Sequence, residues 1–124
     1  MTPATADGEG SVAVLVAPDR VRLVLAGEVD SLLAAELATA VRDAAARRQP
    51  VEVDTRNVTF MDSTGVATLA ELSRRTSVRP AFIRPPELVR FLLEVTGLGR
   101  VVDILEDDPG FPSPGDPANG VLRG

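Results

Sequence analysis

The feature that most limits how this chain folds is a hydrophobic period that switches between two and 3.6 several times along its length. Ser11–Ala17 reads as a strand. Val21–Gly27 alternates, with Val21, Leu23 and Leu25 on one face and Arg22 and Val24 on the other. Pro18-Asp19 supplies a turn between them, with Pro preset for its first central position, so the two runs form a hairpin. After Asp30 and Ser31, both good N-caps, Leu33, Leu37, Ala40, Val41 and Ala44 recur at helical spacing. That helix ends near Arg47-Arg48, whose charges suit the negative end of its dipole, and Pro50 stops it. Val51–Asp54 is a short strand, followed by a loop through Val58 and Phe60 to Asp62-Ser63-Thr64-Gly65. Val66, Leu69, Ala70 and Leu72 mark a second helix reaching Arg75. Val78–Arg84 is a weaker strand, because Pro80 removes a ladder donor. Pro85-Pro86 opens a third helix that turns Leu88, Phe91, Leu92 and Val95 inward, with Gly97 as its C-cap. Val101–Leu105 is the last strand.

A hairpin followed by strand and helix in alternation implies an α/β fold. The expected sheet is mainly parallel, of four to five strands, with an N-terminal antiparallel strand. In the third strand Val51 and Val53 point one way and Glu52 and Asp54 the other. A sheet covered on both faces shows a continuous apolar run instead, so the helices are expected mostly on one face. The domain spans 11–105. Residues 1–10 are small and polar and read as a disordered N-terminus. Residues 106–124 read as a flexible acidic tail, since 109–124 hold four Pro and four Gly.

Composition narrows the chemistry. The 124 residues contain no Cys, His, Tyr or Trp, and all 13 basic residues are Arg. Thiolate and imidazole metal sites, catalytic triads, a Walker lysine and a Schiff base are therefore excluded. Proton chemistry would rest on Asp and Glu alone, so the chain is read as not an enzyme, with no cofactor and no metal. The net charge of −5 repels nucleic acid, and Arg pairs occur only at 47–48 and 74–75. No apolar run approaches a membrane span, and the first ten residues do not form a signal peptide, so a cytoplasmic protein is expected. The preference for Arg over Lys, with abundant Ala and Val, points to a GC-rich bacterial genome.

In a parallel sheet, sites form where the strands end. Asp30, Asp54 and Asp62 are expected along that edge, with Ser63 and Thr64 beside them. Three readings compete. In the first, Asp62 or Ser63, and Asp30 or Ser31, simply cap helices. In the second, the carboxylates hold Mg²⁺ for phosphoryl transfer to Asp54, which the absence of Lys disfavours. In the third, a hydroxyl at a helix start accepts a phosphoryl group, where amides and dipole already favour an anion. Gly65 would then leave the backbone uncovered for a partner's close approach.

Three segments carry a family resemblance: Leu25-Ala26-Gly27-Glu28-Val29-Asp30, then Val58-Thr59-Phe60-Met61-Asp62-Ser63-Thr64-Gly65-Val66, then Val95-Thr96-Gly97-Leu98. Together they make the chain similar, over residues 11–105, to the STAS domains of anti-sigma-factor antagonists and sulfate-transporter tails. That resemblance implies phosphorylation at Ser63 by a partner that is both anti-sigma factor and serine kinase, and reset by a phosphoserine phosphatase. The unphosphorylated form would bind the kinase and free the sigma factor. Asp30, Asp62, Ser63, Thr64, Gly65 and Val66 would form the partner-binding surface. The alternatives are a non-switching STAS scaffold, or an accessory subunit of a sensory complex or lipid transporter; a nucleotide-binding module lacks the Gly-rich phosphate loop. Departures from the family pattern are Ala67 in place of a second Gly, and Glu52 and Thr55 where the central strand is usually apolar. A Pro/Gly tail also replaces the last helix.

Overall fold

The computed structural model describes residues 9–112. Its elements run β1 (Ser11–Val16), β2 (Val21–Val29), a 3₁₀ turn (Ser31–Leu33), α1 (Ala34–Ala46), β3 (Val51–Met61), α2 (Ser63–Arg75), β4 (Ala81–Ile83), α3 (Glu87–Thr96), a second 3₁₀ turn (Leu98–Arg100) and β5 (Asp103–Leu105). The strands lie side by side in chain order, β1 antiparallel to β2 and every later pair parallel. The α/β sheet expected from the alternation of periods is therefore present, with five strands.

Leu23, Val53 and Phe82 lie in register across β2, β3 and β4. All three are fully buried, in one cluster with Leu37 and Val41 of α1, Leu69 and Leu72 of α2, and Val89 and Leu93 of α3. Each such side chain contributes roughly 1.5–3 kcal/mol by leaving water. All three helices thus cover a single face, as the alternation of β3 implies.

Several expectations are corrected by the packing. β3 does not stop at Asp54 but runs to Met61, through residues read as a loop. Between partners Val24 and Ala26 of β2 the chain advances two residues while β3 advances three, from Asp54 to Asn57; a second extra residue falls between Val58 and Phe60. Each bulge shifts the inward–outward phase by one, so the strand continues while its alternation disappears. β4 starts at Ala81, not Val78, because Pro80 has no N–H to give; its carbonyl instead accepts from Asp103 N–H (2.8 Å). β5 starts at Asp103 rather than Val101. In α3, Val89 and Leu93 face the core, whereas Leu88, Phe91 and Val95, expected inward, are exposed. Its apolar residues fill a broad arc opposite Glu87, Arg90 and Glu94, wider than the sheet can bury, so periodicity alone cannot choose which part of that arc faces the core. Gly97 closes it at φ 81°, as expected for a C-cap.

The other face of the sheet is polar yet covered. Arg22 and Glu52 are register neighbours, with Arg22 Nη2 2.8 Å from Glu52 Oε1. Arg20 Nε approaches Glu52 Oε2 at 3.0 Å, and Arg56 Nε approaches Asp54 Oδ1 at 3.0 Å. Asp108 closes the set, 3.0 Å from Arg22 and ion-paired to Arg56. Three guanidiniums therefore meet three carboxylates. The Phe111 ring lies 5.0 Å from the Arg20 guanidinium carbon and 5.1 Å from that of Arg22, within cation–π range. The segment expected to leave the domain at Glu106 thus stays on it through Phe111, because it neutralises a cationic pair of strands. Residues 113–124 of the expected tail, and 1–8 of the expected disordered N-terminus, lie outside the described residues. Thr55, fully buried, donates its hydroxyl to the Ile83 carbonyl (3.1 Å), which accounts for one polar residue in the central strand. Glu52 is accounted for by its two arginines.

The Arg22 guanidinium holds the Asp108 carboxyl well below the usual carboxylate range. A depressed folded-state value means the contact stabilises fully above the unfolded value near 4 and is lost progressively as pH falls below it. Asp108→Asn is expected to lower the free energy of unfolding by about 1.5–3 kcal/mol at pH 7. In urea titrations the gap between variant and wild type should narrow below about pH 4.

Candidate functional site

The β2–β3 ladder ends with Val29 opposite Met61, and Asp62 N–H donates to the Val29 carbonyl (3.2 Å). Asp30 and Ser63 are thereby brought to the same sheet edge. Asp54 is not. It lies mid-strand, on the order of 20 Å along β3 from Met61 at about 3.3 Å per residue, and is engaged with Arg56. The expected convergence of three aspartates at that edge is corrected to two by the length of β3. Among the described residues no group of three or more acidic side chains is disposed to hold a metal.

The capping alternatives resolve on the aspartates. Asp62 Oδ1 accepts from Thr64 N–H (2.9 Å) and Gly65 N–H (3.2 Å), and is the N-cap of α2. Asp30 Oδ1 accepts from Leu32 N–H (3.0 Å), capping the 3₁₀ turn ahead of α1. Ser63 becomes the first residue of α2, exposed, with the helix amides next to it satisfied by its neighbour. Its hydroxyl is not called on to hold the helix together.

Thr64 is half-buried, and its carbonyl accepts from the Thr68 hydroxyl (3.0 Å). Gly65 and Val66 turn inward rather than toward a partner. A Cβ on Gly65 would stand 2.9 Å from Met61 Cγ, 2.9 Å from Val29 Cγ1 and 3.0 Å from the Val29 carbonyl oxygen. The glycine is there to let α2 start directly on the β2–β3 floor. The reading that it bares backbone to a partner is corrected by this packing.

Two residues not singled out for the surface by the sequence frame it. Leu32 is 88% exposed, one position off the buried stripe that starts at Leu33, and Phe60 is 46% exposed at the end of β3. A leucine beside but outside the helical period was the available signal for the first. Phe60 was hidden by the bulge before it. A cavity of about 170 Å³ beside Asp30 adds an acidic rim from Glu9, Glu28 and Glu36. The edge therefore combines an exposed hydroxyl, two large apolar side chains and a negative field.

A family model described as Mlab, STAS domain, matches residues 12–106. The chain belongs to the STAS family. No curated protein matches the sequence of this STAS protein closely enough to stand as a relative. Among solved structures, it resembles an anti-sigma factor antagonist from Mycobacterium paratuberculosis, with a TM-score of 0.71 and 20% identity over 82% of this chain and 89% of that one. It also resembles the anti-sigma factor antagonist SpoIIAA in its unphosphorylated form, with a TM-score of 0.65 and 18% identity over 79% of this chain and 90% of that one. The Bacillus cell fate determinant SpoIIAA in its phosphorylated form gives a TM-score of 0.62 and 20% identity over 76% and 90%. At these identities the likeness establishes a shared fold. Among the described residues, no helix is long and apolar enough to cross a membrane.

The geometry orders three substitutions in the STAS domain. Ser63→Ala should shift stability by no more than about 0.5 kcal/mol. Asp62→Ala should cost about 1 kcal/mol by removing the cap. Gly65→Ala should cost about 1–3 kcal/mol by overpacking against Val29 and Met61. Chemical denaturation of the three variants checks the order.

Proposed function

We propose that this STAS protein is an anti-sigma-factor antagonist. Its unphosphorylated form binds an anti-sigma factor with serine kinase activity and releases the sigma factor. Phosphorylation of Ser63 switches it off, and a phosphoserine phosphatase restores it. The observation that carries the reading is the exposed Ser63 hydroxyl at the first position of α2, spared from capping by Asp62. In the reaction the γ-phosphoryl of ATP passes to Ser63 Oγ, the hydroxyl proton is released and ADP leaves. The kinase supplies the catalysis; this chain is substrate and docking surface, not enzyme, and needs no cofactor.

The added phosphate carries about −1.5 to −2 charges at neutral pH. The N-terminus of α2 tolerates that charge, since amides and dipole point at it, so the fold persists. A partner docked over Ser63 meets a surface already negative from Asp30 and Asp62, and the new charge must be desolvated or repelled. Leu32 and Phe60 supply the apolar anchors of such a contact, with Thr64 at its margin. Gly65 and Val66 act from beneath, by setting where α2 begins. An ATP-dependent switch of this kind places the protein in the cytoplasm.

A second reading is an accessory STAS subunit that docks through the same edge without switching; the family model matches the STAS domain, which both readings share. Purification of the tagged chain with its natural partners separates the two. A kinase-type anti-sigma factor supports the switch, and transporter or sensor subunits alone support the accessory role.

With the cognate kinase and ATP, intact-protein mass spectrometry should show one phosphoryl group on the wild type and none on Ser63→Ala. Absence of label on Ser63 would overturn the proposal. Leu32→Ala and Phe60→Ala should each weaken the kinase complex about tenfold or more, with unchanged thermal melting.

A further inference from the structure

At the end of α2 remote from Ser63, about 18 Å along a helix rising about 1.5 Å per residue, the C-termini of α1 and α2 border a cavity of about 430 Å³. Arg42, Arg48 and Arg75 line it, with the polar side chains of Gln49, Thr76 and Ser77. Apolar wall comes from Ala45, Pro50 and Val78. In a chain of net charge −5, this concentration of one sign is local and specific.

The charges at the cavity do not cancel. Two helix C-termini bring about −0.5 each. Glu71 is shared between Arg74 (2.9 Å) and Arg75, which it meets through Nε at 2.9 Å. Among the described residues Arg42 and Arg48 have no carboxylate partner; Arg42 spends one N–H on the Thr39 hydroxyl (3.3 Å). Counting Arg42, Arg48, Arg74 and Arg75 against Glu71 and the two helix ends leaves a surplus of about two positive charges. Arg48 is moreover held at φ 57°, in the left-handed region that non-glycine residues seldom occupy. Gln49 is pinned by its side-chain N–H to the Pro18 carbonyl (2.7 Å), so the turn that presents Arg48 is anchored to the β1–β2 hairpin.

We propose that this cleft binds a phosphate monoester. The dianion matches the surplus charge. Planar guanidinium forks suit tetrahedral oxyanions, the Ser77 hydroxyl adds a donor while that of Thr76 is spent on the Leu72 carbonyl (3.2 Å), and the alanine, proline and valine wall receives the organic group. The site lies apart from Ser63 and does not depend on the switch reading.

The test titrates the full chain, labelled with nitrogen-15, with phenyl phosphate and separately with inorganic phosphate, against sodium chloride of equal ionic strength. Amide shifts of Arg48, Gln49, Thr76 and Ser77 are followed. Saturable shifts are expected with phenyl phosphate, and weaker binding with inorganic phosphate, which lacks the organic group. Equal affinity for the two would assign the site to the free anion and overturn the monoester. The double variant Arg42→Gln/Arg48→Gln should bind about tenfold more weakly or worse. The charge-matched control Arg84→Gln/Arg100→Gln, altered at exposed arginines elsewhere, should bind as wild type. Far-ultraviolet circular dichroism verifies that both variants fold; should the first double variant unfold, Arg42→Gln alone takes its place. Shifts that never saturate, or an equal loss in the control, would overturn the site.

Discussion

The length of the β2–β3 ladder decides where everything else at the candidate site lies. Because pairing persists to Val29 and Met61, the two strands release the chain at the same level. Their following aspartates become caps of neighbouring helical turns. Gly65 then allows α2 to begin hard against that floor, without the offset a side chain would force. The consequence for chemistry is a division of labour. Asp62 satisfies the helix start, and Ser63 is left exposed with a hydroxyl that the cap does not use.

Much of this was legible in the residues. The hairpin, the order of elements and the one-sided helix layer follow from periodicity, and cap chemistry narrows each helix start to a pair, Asp30 or Ser31 and Asp62 or Ser63, from which the structure selects the aspartates. What was not legible has identifiable causes. Two bulges in β3 scramble alternation after Asp54, so a strand reads as a loop and Asp54 appears at an edge it never reaches. In α3, an apolar arc wider than the buried stripe leaves the inward residues undetermined until Val89 and Leu93 meet the sheet. Gly65 and Val66 read as surface because a motif shows which residues go together but not which of them point inward. Ser63 could be placed at a helix start, but only the geometry of Asp62 shows that its hydroxyl is surplus to the cap.

The polar face of the sheet illustrates a different limit. Glu52 and Asp54 correctly mark it as lacking a helix. Yet Arg22 and Glu52 are almost as buried as the core, because the segment from Asp108 to Phe111 lies over them. Composition classed that segment with the Pro/Gly tail. Its retention depends on one carboxylate and one ring meeting paired guanidiniums, a relation across more than 80 residues that no local pattern displays.

The central claim is that charge on one exposed oxygen controls association without remodelling the fold. It is tested most directly by preparing the chain with phosphoserine incorporated at position 63 and measuring its affinity for the kinase-type partner beside that of the unmodified chain. Amide spectra of both report on α2. The account predicts an affinity at least about tenfold lower for the phosphorylated chain, equivalent to about 1.4 kcal/mol, with spectral changes confined to the start of α2 and its neighbours. Equal affinities, or a loss of binding accompanied by unfolding of α2, would contradict it.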